Sequence, residues 1–282
     1  MILAALLQVA DVLMLPIEPL GTVQVGPEYT DIKSGKPSSP VEIAKASRGV
    51  QYLIFGESHD SKPHKEAVAE ILRALDADGR AVVLGLEMFT RPNQPNLAPW
   101  TMGYWSEEQF QREARWKEEW GFDYSIYKPT FDAVKALRIP MVALNAPRDW
   151  VRTVSRQGWE ALAPEIKAQL PPLDTSNRQH RLVFDTLMGG HPAGANLDRV
   201  YAAQTLWDTA MADSALKAMH RWPENPRRIM VILAGSGHAL YKQAINYRLW
   251  QQAKAASVTV IGIDGKEPRR VRQSVGDFTL MR

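Results

Sequence analysis

Gln51-Tyr52-Leu53-Ile54-Phe55-Gly56-Glu57-Ser58-His59-Asp60 decides how this chain folds. Residues 51–55 form a short, mostly apolar run that breaks at once into glycine, acid and histidine. Apolar runs of about five or six residues fit strands buried on both faces of a sheet. The pattern recurs. Residues 81–86 end in Glu87-Met88-Phe89, residues 139–144 in Asn145-Ala146-Pro147-Arg148, and residues 229–234 in Gly235-Ser236-Gly237-His238. A fifth run, 258–263, ends at Asp264. Helical patterns lie between the runs. Residues 63–75 place Val68, Ile71, Leu72 and Leu75 on one face, and residues 129–137 and 239–253 read as two more. Strands alternating with helices predict an α/β fold, a mostly parallel central sheet flanked by helices with right-handed crossovers.

Two stretches fall outside that alternation. Ten of the chain's 24 aromatic residues lie between Trp100 and Phe131. Residues 148–222 read as several helices, punctuated by Pro171-Pro172 and by Gly189-Gly190-His191-Pro192. Both are expected to be helical insertions, at about 90–128 and 148–222, forming a smaller lid at one end of the sheet. Residues 1–28 read as a lead-in, rich in Pro and Gly from residue 16, and residues 29–282 as the domain. Pro40 starts a short helix capped by Ser39. Lys266, Arg269, Arg270 and Arg272 read as a solvated surface run.

Composition narrows the functions. The chain has 282 residues, of which 45% are hydrophobic and 23% charged, ordinary values for a globular protein. Its net charge of +3 is a small excess and not a nucleic-acid footprint. The absence of cysteine excludes disulfides, thiolate metal sites, a thiol nucleophile and a lipoprotein anchor. Residues 1–7 are apolar, but no Lys or Arg precedes them and the run is short for an export signal. They read either as a degenerate signal or as a docking segment. No transmembrane span is expected.

In open α/β sheets, ligands bind at the carboxyl ends of the strands. Glu57, His59, Glu87, Asn145 and His238 converge there, with His64 just beyond. A single Glu or His at such a place is most often a cap or a satisfied loop residue. Two Gly-x-x-His corners on separate strands are harder to dismiss. Two histidines with carboxylates suit a divalent ion such as Zn, Mn, Co or Fe, or acid/base work near neutral pH. Asp208 shares a helical face with Gln204, Met211 and Ala212 and either points into the site or lies on a solvated edge. The aromatic stretch is either the insertion's own core or an apolar lid over a large flat ligand. Its Tyr104, Tyr124 and Tyr127 carry phenols, and a tyrosinate can hold haem iron.

Leu53-Ile-Phe-Gly-Glu-Ser-His-Asp with His64, followed by Glu87-Met-Phe with Gln94, resembles the opening of ChaN-like proteins. These are bacterial haem-binding proteins in a superfamily shared with Tiki, TraB and erythromycin-esterase-like proteins. Gly121-Phe-Asp-Tyr-Ser-Ile-Tyr-Lys-Pro, Ala143-Leu-Asn-Ala-Pro, Gln204 with Asp208 and Met211-Ala212, and Gly235-Ser-Gly-His with Tyr241 and Arg248 continue the match, which runs from about residue 29 to 264. No single motif is specific; the ordered set is. The resemblance implies a parallel-sheet core with a ligand held under a helical lid. It implies haem or iron acquisition at the bacterial cell envelope or periplasm, or in the cytoplasm if the N-terminus is no signal. It also implies a homodimer that brings two haems face to face. Tyr127, then Tyr124, would ligate haem iron, with His59, His238 and Asp208 around the cofactor. The Tiki side of the superfamily implies the alternative, a divalent-metal-dependent hydrolase of peptides or esters. There His59, His238 and Glu57 would hold the metal, with Glu57, Glu87 and His64 as acid/base groups. Two departures stand out: relatives often carry two adjacent histidines where His64 is followed here by Lys65, and there is no cysteine to anchor a lipid.

Overall fold

The computed structural model describes residues 12–189 and 196–282. The apolar run 1–7 and residues 190–192 of the Gly-Gly-His-Pro turn lie outside them. The strands are β1 Thr22–Val25, β2 Glu28–Asp31, β3 Lys36–Pro37, β4 Tyr52–Glu57, β5 Ala81–Thr90, β6 Met141–Asn145, β7 Arg228–Gly235, β8 Ser257–Ile263, β9 Arg269–Arg272 and β10 Phe278–Met281. The helices are α1 Pro40–Ala46, α2 Lys62–Ala77, α3 Ala98–Thr101, α4 Glu107–Glu113, α5 Trp116–Glu119, α6 Tyr124–Leu137, α7 Arg148–Gln157, α8 Pro164–Lys167, α9 Arg178–Leu187, α10 Leu197–Arg221 and α11 Ile245–Ala253. The expected α/β architecture is present. An eight-stranded sheet runs in the order β3-β2-β10-β8-β4-β7-β5-β6. From β10 to β6 every neighbouring pair is parallel, and β2 joins β10 antiparallel at the edge.

Alternation along the central strands splits the interior in two. Leu53 and Phe55 of β4 and Leu84 and Leu86 of β5 face α2 and α6, where Ile71, Leu72, Ala133 and Val134 meet them. Tyr52, Ile54, Met230 and Ile232 face the other way, onto Met211 and Ala215 of α10 and Ile245 and Leu249 of α11. Full burial of one such side chain stabilises by roughly 1.5–3 kcal/mol, so both faces of the sheet are committed. The turn after β4 leads to α2 on the first face, and the turn after β7 leads to α11 on the second. β4 and β7 are neighbours, so their carboxyl ends part. A crevice opens at this switch in strand order.

Two insertions flank it. Between β5 and α6 come a 3-10 turn, Arg91–Asn96, and the short helices α3 to α5. Trp100, Phe110, Trp116, Tyr124 and Phe131 are buried together here, with Trp100 stacked on Phe110 at 4.8 Å and Tyr124 on Phe131 at 5.5 Å. Helices α7 to α10 form the second insertion, which packs Val151, Val154, Leu162, Leu206 and Ala210 into a core of its own.

The lead-in and the basic run are not loose surface. β1 pairs antiparallel with β9, Thr22 opposite Arg272. Val12, Leu13, Leu15 and Ile17 are buried in the second core. The Tyr241 hydroxyl donates to the Val12 carbonyl at 2.7 Å and accepts from the Leu15 amide at 3.0 Å. The Arg272 guanidinium donates to the carbonyls of Leu15 and Leu20. These strands have about four residues each and no strong apolar alternation. Their partners lie at the opposite end of the chain, beyond the reach of local pattern.

Candidate functional site

Glu57 is the last residue of β4, and its side chain is fully buried. An unpaired carboxylate there would be costly, and both of its oxygens are used. Oε1 receives His59 Nδ1 at 2.6 Å, and Oε2 is ion-paired with Lys65. Lys65 sits on the first turn of α2, itself fully buried, and donates also to the carbonyls of Ser58, at 2.6 Å, and His59, at 3.0 Å. All three ammonium protons are therefore placed, and the cation lies 4.4 Å from the centre of the Tyr127 ring. Burial pulls the Lys65 ammonium below its ordinary value despite Glu57 beside it.

A second network closes the end of β7. His238 Nδ1 meets Asp208 Oδ1 at 2.6 Å, and its Nε2 lies 3.3 Å from Glu87 Oε1. Glu87 Oε2 accepts the Gly235 amide at 2.6 Å. The other oxygen of Asp208 lies 3.1 Å from His180 Nε2. Gln204 reaches His238 Nδ1 at 3.1 Å. Asp208 is 0% exposed, so it is no solvated edge. Burial opposes the charge on His238, but Glu87 and Asp208 outweigh it and push the imidazole up to about 10. Burial likewise opposes charge on Glu87 and Asp208, and the histidines hold both below the usual carboxylate range. Both nitrogens of His238 are thus engaged by carboxylates. His180, without a second carboxylate, is lowered by burial.

His59 stands between the two networks. Glu57 orients it through Nδ1, and its Nε2 has no hydrogen-bond partner among the described residues. Its side chain is 32% exposed. Burial opposes its charge, but the Glu57 bond and the Glu87 charge raise its pKa. Trp120 meets the ring edge-on at 4.6 Å and Phe122 at 5.3 Å. The backbone beside it is glycine, and a Cβ at Gly235 would fall 2.7 Å from His59 Cε1 and push the ring aside.

Two cavities meet at His59, Gln204 and His238. The larger, about 750 Å³, is walled by Trp120, Phe122, Phe184, Met188 and Trp207. The smaller, about 310 Å³, lies over Gly235 and Ser236. The first is of a size that takes a cofactor-sized ligand. Phe122, Leu187 and Met188 remain 37–39% exposed around these openings.

The structure therefore brings together Glu57, His59, Glu87, Asp208 and His238. It places three other candidates apart from the cavities. The Tyr127 hydroxyl lies behind Glu57, fully buried, donating to the His59 carbonyl at 3.1 Å. The Tyr124 ring belongs to the aromatic core. Burial raises the pKa of both phenols. His64 Nδ1 accepts the Ser58 amide at 3.0 Å, its ring packs over Gly262, and burial lowers its pKa. It braces the turn after β4. The aromatic stretch divides accordingly: most of it is core, while Trp120 and Phe122 cover His59. Lys65, His180, Trp207 and the arginines of α7 were not singled out from sequence.

The donors do not fit a divalent ion. Lys65 already occupies the Glu57 carboxylate, and His238 offers no free nitrogen. Among the described residues, no three or more His, Asp or Glu side chains are grouped to hold a metal. The alternative reading, a divalent ion at His59, His238 and Glu57, finds no support among the described residues.

The family described as haem-binding uptake, Tiki superfamily, ChaN, matches residues 43–249. A search of curated proteins returns no match. Among solved structures, ChaN of Campylobacter jejuni, described with cofacially bound haem, aligns with a TM-score of 0.69 at 18% identity over 89% of this chain and 95% of that one. At that identity the likeness establishes the fold. The type III effector HopBA1 aligns at 10% identity and a TM-score of 0.48, over 86% of this chain and 93% of its own. The erythromycin esterase EreC aligns at 12% and 0.48, over 86% and 77%. With the family matched over most of its length, this chain belongs to the haem-binding uptake family of the Tiki superfamily, ChaN.

Proposed function

We propose that this protein binds haem in the larger cavity, with His59 Nε2 as the protein ligand to iron. The observation that carries the reading is the state of His59. A carboxylate fixes its Nδ1, its Nε2 is uncommitted, and it stands at the junction of two cavities with flat apolar walls. A carboxylate behind the distal nitrogen is the usual support of a metal-ligating histidine, since it sets the tautomer and raises ligand basicity. Trp120, Phe122, Trp207 and Met188 offer the broad apolar surface a porphyrin requires. The family matched by the chain is one of haem-binding uptake proteins, and the neighbour from Campylobacter jejuni is described with haem.

Haemin titration followed by visible absorbance tests this. The expected result is a saturable Soret shift that is weakened at least ~10-fold, with altered band positions, in His59→Ala, because one axial bond is lost. Tyr127→Phe is expected to keep the wild-type spectrum. Protein that gives no saturable shift, or a His59→Ala variant with an unchanged spectrum, would overturn the proposal.

A further inference from the structure

Helix α7 starts just beyond the end of β6 and borders the larger cavity. Arg148, Arg152 and Arg156 all line that cavity. Their i, i+4, i+8 spacing sets them in one row about 12 Å long on one helix face. Val154 on the opposite side is buried in the second insertion's core, and Val151 is buried between that core and the cavity, which fixes the helix with the row along the cavity wall. Its charge is scarcely answered. The Arg148 guanidinium donates to a carbonyl, that of Glu119. Arg152 meets Asp149 at 3.1 Å, but Asp149 is 87% exposed and water competes with the pair. The Arg156 guanidinium has no hydrogen-bond partner among the described residues, and its carbonyl is held at 2.8 Å by a further cation, Arg199. The carboxylates that face the same cavity are already engaged. Glu119 accepts from the Thr90 amide and hydroxyl, and Glu87 from His238 and Gly235.

An apolar cavity with a row of underused guanidinium groups along one wall suits a flat apolar ligand that carries anionic groups at its edge. We propose that the α7 row receives the two carboxylates of an iron porphyrin, principally through Arg152 and Arg156. This rests on the haem reading above and extends it from the iron to the rim of the ring. Guanidinium forks match carboxylates in a paired geometry that a neutral group cannot replace.

Parallel titrations with haemin and haemin dimethyl ester test it, on the wild type and on Arg152→Ala/Arg156→Ala. Both side chains are exposed, so the variant is expected to fold. The wild type is expected to bind haemin about tenfold or more tightly than the ester, and the double variant to lose that preference by weakening haemin alone. A wild type that does not discriminate, a variant that keeps the preference, or an equal loss for both ligands would overturn the carboxylate seat and leave the haem reading standing. Wild-type protein that binds neither would end the haem reading, and this proposal with it.

Discussion

Replacing Lys65 by Met tests whether the Glu57–Lys65 pair organises the strand end. Met has similar length but no charge. The substitution removes the buried ion pair and the two hydrogen bonds to the Ser58 and His59 carbonyls. Glu57 is left as a carboxylate with 0% of its side chain exposed, answered by His59 and a long 3.4 Å hydrogen bond from the Tyr127 hydroxyl. Stripping one partner from a buried pair typically costs about 3–5 kcal/mol. For a chain of this size each kcal/mol shifts Tm by roughly 2–4 °C, so a fall of about 10 °C is expected. The pairwise origin of the loss can be isolated. Lys65→Met/Glu57→Gln removes both charges, and it should recover at least about 1.5 kcal/mol of the single variant's loss. Urea denaturation of the four proteins, followed by far-UV circular dichroism, measures all these terms. A Lys65→Met protein within about 1 kcal/mol of wild type, or a double variant whose loss is the sum of the singles, would refute the reasoning.

Three further outcomes are expected. His238 is raised from its ordinary value to about 10, so its contribution is complete below about pH 6.5 and is lost between there and pH 10; urea stability should fall by up to a few kcal/mol over that range, and His238→Gln should flatten the slope. The lowered carboxylates Glu87 and Asp208 act on the other side, contributing above the usual carboxylate range and losing their contribution as the pH falls through it. Asp208→Asn removes a charge from beside two histidines and should cost about 3 kcal/mol and lower the His238 pKa, read by NMR titration; an unmoved imidazole would contradict the network. Gly235→Ala drives a methyl to 2.7 Å from His59 Cε1 and should cost about 1–3 kcal/mol and weaken haemin binding about tenfold or more, whereas wild-type titration curves would show that His59 is not held where the structure places it.

The central strands were legible because each is a contiguous apolar run buried on both faces. The glycine-bounded corners after β4 and β7 marked where polar groups emerge, so Glu57, His59, Glu87 and His238 could be grouped before any coordinates. Asp208 was half legible: spacing put it on a small apolar face, but only docking of α10 buries it against His238 and His180. Tyr127 shows the limit of composition. An aromatic stretch looks alike whether it covers a ligand or fills a core, and the packing of α6 against α2 turns this phenol inward. Lys65 was visible only as an oddity after His64. Its role depends on how the first turn of α2 meets Glu57, which no local pattern encodes. The arginine row of α7 did have a signal, the repeat of one residue type every fourth position, although the cavity it borders is a tertiary feature.

The buried Lys65 bears on selectivity. An uptake protein must ignore the abundant free ions around it. A bare divalent cation must draw its whole set of ligands from the protein, and here the nearest acidic groups already have permanent internal counterions. In the proposed mode, iron carried in a porphyrin arrives with four nitrogens of its own and asks the protein for one imidazole, an apolar slot and cations at the rim. With its carboxylates already paired, the crevice would discriminate by what the metal travels in and not by the metal.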